Sequence, residues 1–298
     1  MPRPRHLRCE GLSPAGRHLL HALDWGPRSA RRAVVCAHGY SGNARDFDFL
    51  ARELARGARV ICPDVAGRGE SDWLAPLSYN FPQFLSDFRS LLAHAGVNEV
   101  DWVGTSMGGL LGLLLAAEST SPVRSLVMND VGAFLPADAL ARIARNLHAP
   151  ERFATLAEVE AHLRHTHRDW GAIDDAQWTH LVRHGARRSD DGWRLHYDPQ
   201  IARVVQPLPF VSGLYFWNSW YHVRCPVLLM RGESSEVFPA SVAATMLEAK
   251  PQAELVEVAG AGHAPALMSP AEIATVAQFV AGARISRTRA IAPRRAAA

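Results

Sequence analysis

Short apolar runs recur along the chain, each closed by a cluster of turn residues: RAVVCAHG, ARVICPDVAG, VDWVGTS, VRSLVMNDVG, CPVLLMRGE and AELVEVAGAGH. The runs are nearly continuous rather than alternating, as expected for strands buried on both faces. Helical stretches lie between several of them, so the pattern predicts an α/β protein with a mostly parallel, doubly covered sheet. An earlier segment, HLLHALDWG, reads as an edge strand in a hairpin. Between residues 133 and 222 the pattern turns helical. PADALARIARNLHA, TLAEVEAHLRHTHRDWG and DDAQWTHLVRHGARR each start near an acidic or hydroxyl residue suited to capping. No parallel strand is expected there. The predicted organisation is a core of residues 1–132 and 223–283, interrupted after its sixth strand by a helical insertion of residues 133–222. Internal repeats are not visible.

At 298 residues such a core needs no disulfide staples. Cys9, Cys36, Cys62 and Cys225 are scattered, lack paired metal-ligand spacing and mostly sit inside apolar runs. They read as small core residues in a reducing compartment. No run has the length of a transmembrane helix, and MPRPRHLRCEG lacks the apolar centre of a secretory signal. The expectation is a cytoplasmic protein without a membrane partner. A net charge of +3 suggests an acidic partner at first sight, but five arginines and no acid lie in residues 284–298. The remainder is therefore slightly acidic. This argues against nucleic-acid binding, and the basic stretch 284–298 reads as a disordered tail.

The chemistry starts at Gly104-Thr105-Ser106-Met107-Gly108. A G-x-S-x-G pattern arises by chance in about one chain in ten of this length, so context decides. Here the apolar, β-branched Val100 to Val103 precedes it and the leucine- and alanine-rich Leu110 to Ala117 follows. This is the strand-to-helix turn that lifts a serine Oγ clear of the backbone. The competing reading is an ordinary small-residue turn. A serine hydroxyl needs a base to act as a nucleophile, and the base needs an orienting acid. Among fourteen histidines, His263 stands out because VEVAGAGHAP places it in a glycine-rich loop beyond the last strand. Two backbone donors for an oxyanion are expected from Met107, which follows the serine, and Tyr40, in CAHGYSGN after an earlier strand. His38 then reads as a group that shapes this loop. No ligand cluster suggests a metal or organic cofactor.

HGYSGN, DVAGRGESD, GTSMGG and GAGHAP stand in the order found in the α/β-hydrolase superfamily, which the chain resembles over nearly its whole length apart from the tail. The resemblance implies the α/β-hydrolase fold, with residues 133–222 as a lid over the site. It also implies that Asp64 to Ser71 forms a turn closing near that site. A departure concerns the acid: three residues past Gly232, where the family usually has aspartate, this chain has Ser235. Two alternatives remain. Asp130, at the end of the sixth strand, matches a subgroup of small bacterial esterases that draw the acid from there, and Glu236 lies one residue beyond the usual position. The implied activity is hydrolysis of small to medium, partly apolar esters, lactones, thioesters or hydroxyacid oligomers through an acyl-enzyme on Ser106. Carbon–carbon bond hydrolysis or cofactor-free perhydrolysis on the same triad is the alternative, followed by a non-catalytic binding module. The aromatics of LPFVSGLYFWNSWYHV are suited to lining an apolar pocket, to packing the insertion on the core or to a homodimer contact. Eight of the fourteen histidines fall within residues 133–222, so acidification would charge that segment.

Overall fold

The computed structural model describes residues 3–147, 149–150, 152–204, 213–282 and 288–291. The chain opens with the hairpin β1 (Arg5–Ser13) and β2 (Gly16–Trp25), followed by β3 (Ala33–Ala37), α1 (Asp48–Leu54), β4 (Arg59–Asp64), α2 (Phe81–Ala95), β5 (Val100–Thr105), α3 (Met107–Ala116) and β6 (Val123–Asn129). The segment after β6 holds β7 (Phe134–Pro136), α4 (Ala137–Leu147), α5 (Leu156–Thr166), α6 (Asp175–Gly185), β8 (Ala186–Ser189), β9 (Gly192–Leu195), α7 (Ile201–Val204), β10 (Gly213–Tyr215) and α8 (Trp217–His222). The core then resumes with β11 (Val227–Gly232), α9 (Ala240–Ala249), β12 (Glu254–Val258), α10 (Pro270–Val280) and β13 (Thr288–Ile291).

Nine strands form one sheet in the order β1-β2-β4-β3-β5-β6-β11-β12-β13. β2 runs antiparallel to both neighbours, and every pair from β4 to β13 is parallel. The apolar runs account for this placement. β3, β4 and β11 are buried at every position, whereas β1 alternates between buried and exposed residues. One face of the sheet packs on α1 and α10, the other on α2, α3 and α9. Side chains end the helices where the sequence permits: Asn80 accepts from Gln83 N at the start of α2, left-handed Gly96 closes it, and Ser269 and Glu272 cap α10 reciprocally. From β3 the chain moves outward to β4, then crosses to β5 on the other side of β3. Loops leaving β3 and β5 thus diverge, opening a crevice at the carboxyl ends of the strands.

Three sequence expectations need correction. HLLHALDWG forms most of β2, which lies one strand in from the edge; the edge is β1, whose polar alternation concealed it. Residues 288–291, expected in a disordered tail, pair with β12, with Ile291 buried; the remainder of 284–298 lies outside the described residues. The helical insertion also contains two antiparallel ribbons: β7 with β10 joins its two ends, and β8 with β9 forms a hairpin. His148 and residues 208–212 of the aromatic-rich stretch lie outside the described residues. Among the described residues no helix is long and apolar enough to cross a membrane.

Candidate active site

Ser106 occupies the turn between β5 and α3 with φ +51° and ψ −114°, a backbone conformation that a residue with a Cβ adopts only under strain. The surroundings hold it there. Ser106 N donates to Asn129 O at 2.8 Å, and Trp102 Nε1 donates to Gly108 O at 2.8 Å. The flanking glycines are required by close approach: a Cβ on Gly104 would lie 2.2 Å from Gly108 O, and one on Gly108 would lie 2.0 Å from Ala37 O. Helix and strands therefore meet backbone to backbone, and the serine side chain projects into the crevice.

His263 follows β12 and reaches back to this serine, with its Nε2 3.0 Å from Ser106 Oγ. Its Nδ1 lies 2.7 Å from Asp130 Oδ2. Asp130 is fully buried, in a left-handed conformation (φ +56°) just past β6. It accepts from Gly232 N at Oδ1 (2.7 Å) and from Ser235 Oγ at Oδ2 (2.6 Å). The arrangement gives the imidazole a fixed tautomer, Nδ1–H toward the carboxylate and an Nε2 lone pair toward the hydroxyl. Of the two acids considered from sequence, the structure brings Asp130 to His263. Glu236 is largely exposed and pairs with Arg142 at 3.3 Å. Ser235 stands where the family's aspartate was missing, and its hydroxyl holds the carboxylate that arrives from β6.

The β3 loop lies alongside: a Cβ on Gly39 would sit 3.8 Å from Ser106 Cβ, and Tyr40 lines the same cavity as Ser106. Met107 begins α3, so its N–H belongs to the first turn, whose amides point out of the helix. His38 is buried, donates from Nδ1 to Gly39 O (2.7 Å) and accepts Val65 N at Nε2 (3.0 Å). Burial lowers its pKa to about 4, so both nitrogens serve the loop as a neutral ring. Arg68, fully buried in the turn after β4, was not singled out from sequence. Its Nε donates to Tyr40 O (2.9 Å) and its guanidinium lies 4.7 Å from the centroid of the Tyr40 ring. Asp64 anchors the same turn. Burial alone would raise its pKa, but His21 at 2.6 Å and the amides of Ala44 and Glu70 outweigh it and hold the pKa down.

A cavity of about 140 Å³ opens above Ser106 and His263. Its floor comes from strand ends and the β3 loop. Its roof comes from α4, α5, α6 and the segment joining α5 to α6, including Ile143, Asn146, Leu163, His167, Trp170 and Trp178. Asp46 is also in the wall, with its carboxyl raised to about 7 by burial. Outside the cavity, donor atoms of Asp48, His180 and His184 lie within 4.8 Å of one another. Arg45 Nη1 already sits 2.9 Å from Asp48 Oδ2, and His180 Nε2 lies 3.0 Å from Arg45 O. The cluster thus joins α6 to the core through His180, whose ring meets the Arg45 carbonyl beside an arginine–carboxylate pair.

Comparison with known proteins agrees with this fold. A family model described as alpha/beta hydrolase fold matches residues 32–270. A 3-hydroxybutyrate-oligomer hydrolase from Cupriavidus necator is 41% identical over 291 residues, covering 95% of this chain and 99% of that protein. An esterase from Mycobacterium tuberculosis is 29% identical over 230 residues, covering 72% and 70%. Among solved structures, an alpha/beta hydrolase from Novosphingobium aromaticivorans superposes with a TM-score of 0.84 at 32% identity, covering 94% of this chain and 99% of that one.

Proposed function

The chain belongs to the α/β-hydrolase family, and on that premise we propose that it hydrolyses short hydroxyacid-oligomer esters through an acyl-enzyme on Ser106. The observation that carries this reading is the unbroken relay from Ser106 Oγ through His263 to Asp130. Ester hydrolysis in general is supported by the family and by its ester-hydrolase relatives; the oligomer class is suggested by the 41% identical relative. In the proposed reaction Ser106 Oγ adds to the ester carbonyl carbon while His263 Nε2 takes its proton. The N–H groups of Tyr40 and Met107 receive the developing oxyanion. His263 passes the proton to the departing alkoxide, and Asp130 keeps the imidazolium oriented throughout. Water, deprotonated by the same imidazole, then releases the acid. No step needs a metal or organic cofactor. Segment 133–222 acts as a lid, and its cavity is small beside the several hundred Å³ typical of drug-sized sites, which favours short acyl units.

The test is intact-mass labelling with a fluorophosphonate beside hydrolysis of 3-hydroxybutyrate dimers and trimers. One label per chain is expected, absent in Ser106→Ala, with kcat on the oligomers lower by about 10⁵-fold in the variant. A folded wild-type protein that takes no label and releases no 3-hydroxybutyrate would overturn the reading.

A further inference from the structure

His167, just beyond α5, lines the cavity above Ser106. Three contacts hold its ring. Nδ1 lies 2.8 Å from Thr166 Oγ1 and 3.1 Å from Leu163 O, and the Trp170 ring stands perpendicular at a centroid distance of 4.0 Å. Leu163 O can only accept, so Nδ1 carries the hydrogen and Nε2 carries the ring's lone pair. Burial beneath α4–α6 lowers the pKa to about 4, with His162 and His263 adding repulsion against a charge. The ring is therefore neutral at ordinary pH, an oriented acceptor on the cavity wall that the relay does not use. Among the described residues lining the cavity there is no lysine or arginine, and the wall contains the carboxyl of Asp46.

Resting on the reading above, we propose that His167 Nε2 accepts a hydrogen bond from the free hydroxyl of the substrate's terminal acyl unit, so that an oligomer enters hydroxyl end first with its carboxylate end at the mouth. The two ends of a hydroxyacid oligomer differ in what they require. A hydroxyl needs an acceptor, which a neutral imidazole provides. A carboxylate is served best by a cation; the cavity lining offers no lysine or arginine and carries the His167 acceptor and the Asp46 carboxyl, so burying that charge there is costly. With the hydroxyl end inside, Ser106 Oγ bonds to the carbonyl carbon of the first unit. The bond from that carbon to the second unit's oxygen breaks, and that oxygen takes the proton held by His263. Water then cleaves the acyl-enzyme, so each cycle consumes one water and frees one hydroxyacid from the hydroxyl end.

The experiment compares p-nitrophenyl 3-hydroxybutyrate with p-nitrophenyl butyrate in wild type, His167→Leu and His167→Gln. Wild type should prefer the hydroxylated ester by about ten-fold in kcat/KM, roughly what one hydrogen bond contributes. That ratio should fall to near one in His167→Leu and largely return in His167→Gln, whose amide oxygen can accept. A wild-type ratio near one, or a ratio unchanged by His167→Leu, overturns the contact. Direction of entry is read from 3-hydroxybutyrate trimers blocked at either end. The carboxyl methyl ester should be cleaved like the free trimer and the O-acetyl trimer about ten-fold more slowly; the reverse order overturns it. If nitrophenyl esters are cleaved and no trimer is, the oligomer reading and the direction of entry fail together, while the hydroxyl contact is still decided by the nitrophenyl ratio.

Discussion

The floor and the roof of the cavity are built on different rules. Two floor residues of the relay are fixed by backbone: Ser106 and Asp130 sit in positive-φ turns at strand ends, and Gly104 and Gly108 let strand and helix touch. The roof, from α4 to α6, meets the floor through two backbone bonds, Gly262 N to Asp169 O and Ala266 N to Trp170 O, and through side chains. Trp170 packs on His167, Arg164 pairs with Glu160 and Asp175, and His180 of α6 meets Arg45 O. Positions fixed by the sheet tolerate little displacement, which suits proton transfer over distances near 3 Å. Positions fixed by side chains can be exchanged without rebuilding the sheet, which suits selectivity. This difference predicts that substitutions in the floor act on turnover and those in the roof on preference.

The largest effect expected from breaking the floor is at the acid. Asp130→Asn should lower kcat by about 10³- to 10⁴-fold, because an amide at this position favours the wrong imidazole tautomer. Glu236→Gln, altering a largely exposed side chain paired with Arg142, should leave kcat within about two-fold. Steady-state kinetics of the two variants decide between the acids, and a large loss in Glu236→Gln would reverse the assignment.

A smaller effect is expected at Ser235, a positioning residue whose hydroxyl holds Asp130 Oδ2 at 2.6 Å. Ser235→Ala should lower kcat about ten-fold with KM nearly unchanged, consistent with the loss of one hydrogen bond to a charged group. Ser235→Thr should restore it. Oδ2 is also the oxygen that meets His263, so a carboxylate introduced at 235 lies within reach of the same imidazole. Asp130→Asn with Ser235→Asp should therefore recover at least ten-fold over Asp130→Asn alone; a double variant no better than the single one would show that the acid's position in the fold cannot be exchanged.

The same contrast explains what could be read from the chain before its structure. The floor is local in sequence: the Ser106 turn, the His263 loop and the Tyr40 loop each follow a recognisable apolar run, so their elements and order emerge from periodicity. Asp130 and Ser235 were harder, since a carboxylate at a strand end has no local signature and its partner lies 105 residues away. β1 escaped notice because its wet face interrupts the apolar run, and β13 because four residues inside an arginine-rich stretch give no periodicity to read. In the roof, helices α5 and α6 announce themselves through Thr155 and Asp174 at their starts. That His162 and His167 line the cavity depends on how α4 to α6 pack, and no spacing encodes that.

The smallest effect lies where roof meets floor. His184 on α6 is surrounded by His180, Arg45, Arg183 and His196, with Asp48 the nearby acid. Burial, then these positive neighbours, lower its pKa to about 4. A histidine whose folded pKa lies below its unfolded value of 6.5 binds its proton more readily in the unfolded chain. Its contribution to stability is present above about pH 6.5 and is lost as pH falls toward 4. His167 in the roof and His38 in the floor shift in the same direction, so the whole protein should lose stability through this window. His184→Gln removes one of the protons taken up. Allowing for screening at a half-buried ring, the variant should lose about 1 kcal/mol less than wild type between pH 7 and pH 5. Urea unfolding at the two pH values measures this directly. If instead the variant loses as much stability as wild type, the acid sensitivity belongs to the floor, and the roof stays docked as the pH falls.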